Sequence, residues 1–472
     1  MQRKQTRIIC TIGPASNNYE TILQMAKEGM DIARLNFSHG THESHKETIE
    51  LIRKVEKENG LNIAILLDTK GPEIRLGDFE NGSEDYKKGE IVTICKEEIL
   101  GTHDRFTIRC KELFADVNVG NLILINDGKQ QLKIIEKSDD ELKCEVLVDG
   151  PLSNHKGCNV PGVKLTMPFI SENDDADIRF GCEMDVNFIA TSFTRRADDV
   201  LGIKRILREM NKPKINIIAK IENQEGYDNI DEILECAEGI MVARGDLGVE
   251  VAADKVPIYQ KKLIRKANEY GKPVVTATQM LESMTSNPRC TRAEAADVAN
   301  AVLDGCDAVM LSGESAAGKY PVEAVKTMAA ICKSAEEAFS YREHLDWLKQ
   351  FSKNSIQDAI GMAISDASIS LPISAIVVFT QGGTTARVIS RYRPMCPIYA
   401  VTFTRQTQHA LQDYWGVAPV ISQVQNDMTN DDEIASAVCK NFGHKAGELI
   451  ILSAGYPTGE GSANMMKIIS IK

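Results

Sequence analysis

A chain of 472 residues exceeds what one ordinary hydrophobic core organises, so roughly two or three domains are expected. With 43% hydrophobic and 26% charged residues it has the composition of a folded globular protein, not of a disordered one. The net charge of −12 argues against a nucleic-acid partner, whose backbone demands clustered Lys and Arg, but allows a phosphorylated metabolite in a local cationic pocket.

The N-terminal MQRKQTRIICTIG holds no apolar run of signal-peptide length. No window reaches the eighteen or so apolar residues of a membrane helix, so no membrane partner is expected. The 12 cysteines are scattered without a C-x-x-C pair, which points to reduced, mostly buried thiols and a cytoplasmic location.

Along the chain, short apolar runs alternate with amphipathic stretches. Candidate strands are 7–12, 31–37, 62–68, 186–193, 215–221, 239–244, 273–278 and 307–312. Helical patterns at 19–29, 42–59, 197–210, 228–237, 255–270 and 293–304 separate most of them. Such alternation predicts an α/β fold, a closed (β/α)8 TIM barrel formed by 1–71 and 167–344. Residues 72–166 differ in texture: β-branched runs such as EIVTICK, NLILIND and ELKCEVLV are parted by Gly, Asn and Asp turns. They predict an inserted all-β lid domain, hinged at Gly71-Pro72 and Val160-Pro161-Gly162. From 345 to 472 the alternation resumes, with strands at 375–380, 397–402, 418–422, 447–453 and 467–471, giving a separate C-terminal α/β domain.

Barrel enzymes work at the C-terminal ends of their strands. Here those ends carry Arg34, Asn36, Ser38 and His39, then Asp68, Thr69 and Lys70, then Lys220 and Glu222. Arg244-Gly245-Asp246, Thr278 and Ser312-Gly313-Glu314 follow. Glu222 and Asp246 form a pair of hard oxygen ligands for Mg²⁺ or Mn²⁺, with open positions for substrate oxygens. Lys220 and Arg34 add the fixed positive charge that phosphoryl transfer requires. The competing reading is a set of ion pairs bracing the barrel mouth. Asn36, Ser38, Asp68 and Thr69 offer oxygens with one formal charge, which suits K⁺, although turn hydrogen bonding is the plainer reading of such residues.

Two patterns do not carry chemistry. His39, His42 and His45 are spaced like zinc ligands, but a helix starts there and the latter two are expected in solvent. GESAAGKY (313–320) approximates a phosphate loop, yet Tyr320 and Pro321 stand where the metal-binding hydroxyl is needed.

The segments CTIGPAS (10–16), RLNFSHG (34–40), LLDTKGPEIR (66–75), KIENQEG (220–226), VARGDLGVE (242–250), TATQMLESM (276–284), TRAEAADVANAVLDG (291–305) and LSGES (311–315) together resemble the pyruvate kinases, over essentially the whole chain. The resemblance implies transfer of the phosphoryl group of phosphoenolpyruvate to ADP, giving ATP and pyruvate. By position it makes Glu222 and Asp246 the divalent-ion ligands. The backbone around Ala243, Arg244 and Gly245 would receive the substrate carboxylate, leaving the Arg244 guanidinium to brace the barrel. Lys220 would serve the phosphoryl group and the enolate, and Thr278 would relay a proton. Arg34 and Arg75 would hold phosphate oxygens, with His39, Lys156 and Asp127 on the nucleotide side.

The same resemblance assigns Asn36, Ser38, Asp68 and Thr69 to K⁺, and Glu73 is the residue type of its K⁺-dependent members. FTQGGTTAR (379–387) resembles the family's sugar-phosphate effector loop, implying Thr380, Gly382, Gly383, Thr384 and Thr385 as phosphate contacts. The loop GYPTGEGSAN (455–464) lacks the Arg and Trp of fructose-1,6-bisphosphate-regulated members, so the effector stays open. Cys290 and Ala317 depart from the usual pattern, away from the metal cluster. A homotetramer is also implied, without the extra C-terminal domain of some bacterial members. The alternatives are a lyase or aldolase acting on pyruvate-like enolates, and a catalytically silent metabolite sensor. ADP-dependent pyruvate formation separates the three.

Overall fold

The computed structural model describes residues 4–423, 429–456 and 463–472. Eight parallel strands close into a barrel: β1 (Arg7–Thr11), β2 (Ile32–Asn36), β3 (Ala64–Asp68), β4 (Phe188–Thr191), β5 (Asn216–Ile221), β6 (Gly239–Ala243), β7 (Val274–Ala277) and β8 (Ala308–Leu311), with β8 pairing back onto β1. Each strand falls within a run expected from the sequence but is trimmed at one or both ends. Side chains alternate along each strand. Ile9, Ile32, Leu66, Phe188, Ile218 and Met241 fill the interior, while their neighbours pack outward against the helices. Stepping two residues from Ile9, Ile32, Leu66 and Ile218 gives Thr11, Arg34, Asp68 and Lys220, while the same step on β4 and β6 gives Ala190 and Ala243. Parity alone therefore gathers these polar groups in one layer at the mouth.

The helix α1 (His42–Asn59) has a capping box at Thr41 and Ser44. Among the helices outside the expected runs are the short α3 (Arg244–Glu250) and a longer pair, α2 (Glu172–Glu183) and α4 (Pro321–Glu337). Both carry start signals, a Ser171/Asp174 capping box and Pro321 at the first turn.

Between β3 and β4 the chain leaves the barrel. Strands from Ile74–Arg75 to Gly157–Asn159 form a seven-stranded sheet and a two-stranded ribbon. Their core, including Tyr86, Phe106, Ile123 and Leu142, is separate from that of the barrel. At the C-terminal end β9 (Ile373–Phe379), β10 (Ile398–Thr402), β11 (Val417–Ile421), β12 (Leu449–Ala454) and β13 (Met465–Ser470) form a sheet ordered β11-β10-β9-β12-β13, antiparallel only at β13. The helix α5 (Thr384–Arg391) follows β9. All 12 cysteines are free thiols, most of them buried. No helix among the described residues is long and apolar enough to cross a membrane.

The C-terminal unit packs on the barrel through buried polar contacts. Glu56 of α1, 2% exposed, accepts from His409 Nε2 at 2.6 Å and pairs with Arg53 at 3.1 Å. Arg393 pairs with Asp307 at 3.1 Å. Asp413 is 1% exposed, and neither oxygen meets a hydrogen-bond donor among the described residues. Burial pushes its carboxyl from 3.8 up to about 8, against the pull of Arg387. The folded chain therefore holds a proton that the unfolded chain has lost, and this contribution to stability falls as pH rises through that interval. Asp413→Asn is expected to lose less of its melting temperature than the parent between about pH 6 and about pH 8.5.

Candidate active site

Asp68 organises the barrel mouth. Fully buried at the end of β3, it accepts from Arg34 Nε at 2.6 Å and from Lys220 Nζ at 3.0 Å. Burial alone would raise its carboxyl, but Lys220 and Arg34 outweigh it and hold the group below its ordinary range. Arg34 also donates to Thr11 Oγ1 at 2.8 Å. Lys220 donates to Ser192 Oγ at 2.7 Å and lies 3.0 Å from Glu222 Oε1. Burial opposes the ammonium charge, yet Asp68 and Glu222 raise its pKa above the ordinary lysine value.

Ser192 was not singled out from the sequence, although it stands in a barrel strand end. Its hydroxyl donates to Thr69 O at 2.6 Å and so presents a lone pair to Lys220. One residue later Phe193 adopts φ 56°, and its N–H meets Glu222 Oε2 at 2.5 Å. Glu222 is 1% exposed, and burial pushes its carboxyl up to about 7 despite Lys220. Its Oε1 receives no hydrogen bond from any described residue, the nearby ammonium lying out of line.

On the neighbouring strand, Ala243 ends β6 and Arg244, Gly245 and Asp246 open α3. The Arg244 guanidinium turns outward from the mouth, pairing with Asp297 at 2.7 Å and donating to Thr278 O at 2.7 Å and Ala277 O at 3.3 Å. It braces β6 against β7. Thr278 lies beyond the end of β7, not within a strand, at φ 69°, a costly conformation for a β-branched residue. Its hydroxyl donates to Ala277 O at 2.6 Å and accepts from Gly245 N at 2.8 Å, tying the start of α3 to β7. Glu314 is absorbed by the backbone N–H groups of Leu281 and Ser312 at 3.0 and 2.7 Å.

The residues expected on the cation and nucleotide sides are arranged more openly. Asn36 Oδ1 accepts from Ser38 N at 3.2 Å, and Thr69 Oγ1 from Ser192 N at 3.2 Å. Glu73 holds Arg75 at 2.7 Å and Lys70 at 3.5 Å. Lys70, Glu73, Arg75, Arg109 and Ser171 border a cleft of about 410 Å³ beside the hinge. His39 and Asp127 are exposed, and Lys156 is half-buried. The three histidines do not converge. His45 stacks on Phe37 with centroids 4.0 Å apart, and His42 pairs with Asp177 at 2.6 Å, so neither stands free in solvent as the sequence had implied.

Comparison with known proteins follows this arrangement. The family model described as "Pyruvate kinase, barrel domain" matches residues 3–325, and that described as "Pyruvate kinase, alpha/beta domain" matches residues 358–469. The chain belongs to the pyruvate kinase family. Pyruvate kinases of Staphylococcus epidermidis and Staphylococcus aureus are 50% identical to it over 470 residues, covering 98% of this chain and 80% of each relative. That of Staphylococcus haemolyticus is 50% identical over 471 residues. The chain is thus an enzyme of a phosphotransferase family.

The pyruvate kinase family works with metal ions, and two features fit a divalent ion here. Glu222 Oε1 is buried without a hydrogen bond, and Asp246 is half-buried at the start of the neighbouring α3. Among the described residues no group of three or more His, Cys, Asp or Glu could hold a metal.

The effector-loop residues expected for a pyruvate kinase lie around the start of α5. Gly383 caps it at φ 86°, its N–H donating to Thr380 Oγ1 at 3.0 Å, with Gly382 beside it and Thr384 and Thr385 in the first turn. Most of the loop 455–464, residues 457–462, falls outside the described residues.

Asp68→Ala would leave Arg34 and Lys220 buried without their shared counter-charge. It is expected to cost about 3–5 kcal/mol in denaturant titration, against about 1 kcal/mol for Ser192→Ala.

Proposed function

We propose that this chain transfers the phosphoryl group of phosphoenolpyruvate to ADP, giving ATP and pyruvate, as a cytoplasmic homotetramer. Mg²⁺ or Mn²⁺ and K⁺ would be its ions and a sugar phosphate its regulator. The observation that carries this reading is Glu222 Oε1, a buried carboxylate oxygen 3.0 Å from a lysine ammonium yet without a hydrogen bond. Such an oxygen has lone pairs left for a metal ion, and Asp246 supplies the second ligand. A bound divalent ion would contribute Lewis-acid charge at the phosphoryl and enolate oxygens.

The chain's own groups do the rest. Arg34 and Lys220 are oriented by Asp68 and need little reorganisation to meet an anion between them. Lys220 stays protonated, so it acts as fixed charge on the transferring phosphoryl group and on the enolate, never as a base. The N–H groups at Ala243–Gly245 receive the substrate carboxylate, which displaces Thr278 Oγ1 from Gly245 N. The Thr278 hydroxyl, a poor acid, then relays a proton toward enolpyruvate through water. Arg75, His39 and Lys156 hold ADP beneath the lid, with Asp127 on the same side. Asn36, Ser38, Asp68 and Thr69 supply oxygens for K⁺. Thr380, Gly382, Gly383, Thr384 and Thr385 supply N–H and hydroxyl donors for an effector phosphate.

Pyruvate formation from phosphoenolpyruvate is expected to require ADP, a divalent ion and K⁺ together. Absence of ADP-dependent turnover would refute the kinase reading, and full activity with a bulky organic cation replacing K⁺ would refute the K⁺ site. Glu222→Ala should lower kcat by roughly a hundredfold or more. Thr278→Ala should slow proton exchange into pyruvate more than phosphoryl transfer. If both rates stay normal, the relay assignment is wrong.

A further inference from the structure

Directly before the return hinge at Val160, the last strand of the inserted sheet bonds to a site-bearing segment of the barrel. Asn159 Nδ2 donates to Glu250 Oε1 at 2.9 Å. Asn159 ends the inserted strand Gly157–Asn159, three residues after Lys156. Glu250 is the last residue of α3, four after Asp246, so the two carboxylates lie on one face of that helix. A single bond therefore spans from the strand beside the nucleotide lysine to the helix that presents a metal ligand. Neither Asn159 nor Glu250 was marked by the sequence.

We propose that Asn159 and Glu250 are positioning residues, a latch that sets the lid in register over α3 when it closes. The inference rests on the reading that the inserted segment covers the nucleotide. The chemistry suits a latch. A neutral amide donating to a carboxylate gains more than a neutral pair does, because one partner is charged. Both groups are half-buried, so opening the lid rehydrates them without stranding a buried charge. The bond biases closure and still releases product.

Reversing the pair tests the latch in the full chain. Asn159→Asp sets two carboxylates against each other. It is expected to raise KM for ADP about fivefold to twentyfold, with faster amide exchange over 157–159 and α3, and KM for phosphoenolpyruvate within about twofold of the parent. Glu250→Gln keeps an acceptor oxygen and is expected to cost less than about threefold. Combining the two lets the new amide donate to the new carboxylate and is expected to bring KM for ADP back within about threefold of the parent. A double variant as impaired as Asn159→Asp would overturn the latch, as would Asn159→Asp with parental KM, kcat and exchange. If Asn159→Asp lowers the melting temperature sharply, Asn159→Ala carries the test, with the same increase in KM expected and an unchanged KM overturning the idea. Lys156→Ala with a normal KM for ADP would sink the nucleotide reading instead, and amide exchange would still report on the latch.

Discussion

The mouth of this barrel depends on one buried carboxylate shared between two cations. Asp68 has no contact with solvent, yet Arg34 and Lys220 both converge on it. A carboxylate in that position alone would take up a proton, and either cation alone would be too costly to bury. Held together, the three keep their charges in a low-dielectric site. Their sum is positive before Glu222 and Asp246 are counted. Glu222 joins them at the same mouth, its Oε1 3.0 Å from the Lys220 ammonium, so cationic and anionic groups are packed into one pocket.

The mutual arrangement is a product of strand parity. Thr11, Arg34, Asp68 and Lys220 each follow an interior apolar residue by two positions, so closing the barrel brings them to one level. A slip of one residue in β5 would send Lys220 outward among the helices and bring Ala219 or Ile221 to the mouth. Specification of the site and of the core are thus the same event, since the apolar alternation that drives closure also sets the polar layer.

Much of this was legible in the sequence. The eight strand runs, the inserted β-rich segment and the polar strand ends could be read from periodicity and composition, and the motifs named the family. The contacts that orient those residues could not. Ser192 looks like any serine in a loop until β4 is set beside β3 and β5. Asp297, which takes the Arg244 guanidinium, lies in a helix pattern with nothing to mark it. The left-handed turn at Thr278 is hidden because a β-branched residue there reads as strand. His42 and His45 were expected in solvent because a helix start is usually exposed, whereas Phe37 and Phe180 give their rings a face to stack on. The helices α2 and α4 had start signals, a capping box and a first-turn proline, that were not read.

The insertion point of the lid has a mechanical consequence. The chain departs after β3 and returns into the start of α2, and the two connections meet where Gly71 N donates to Asp174 Oδ1 at 3.0 Å. Two tethers rooted side by side act as the knuckles of a single hinge. They permit a swing about the line joining them and resist twisting and sideways drift. The attached sheet has its own core, separate from that of the barrel. A door on one axis has one principal degree of freedom, so a single contact is enough to define where it comes to rest, even one as near the hinge as that of Asn159 with Glu250.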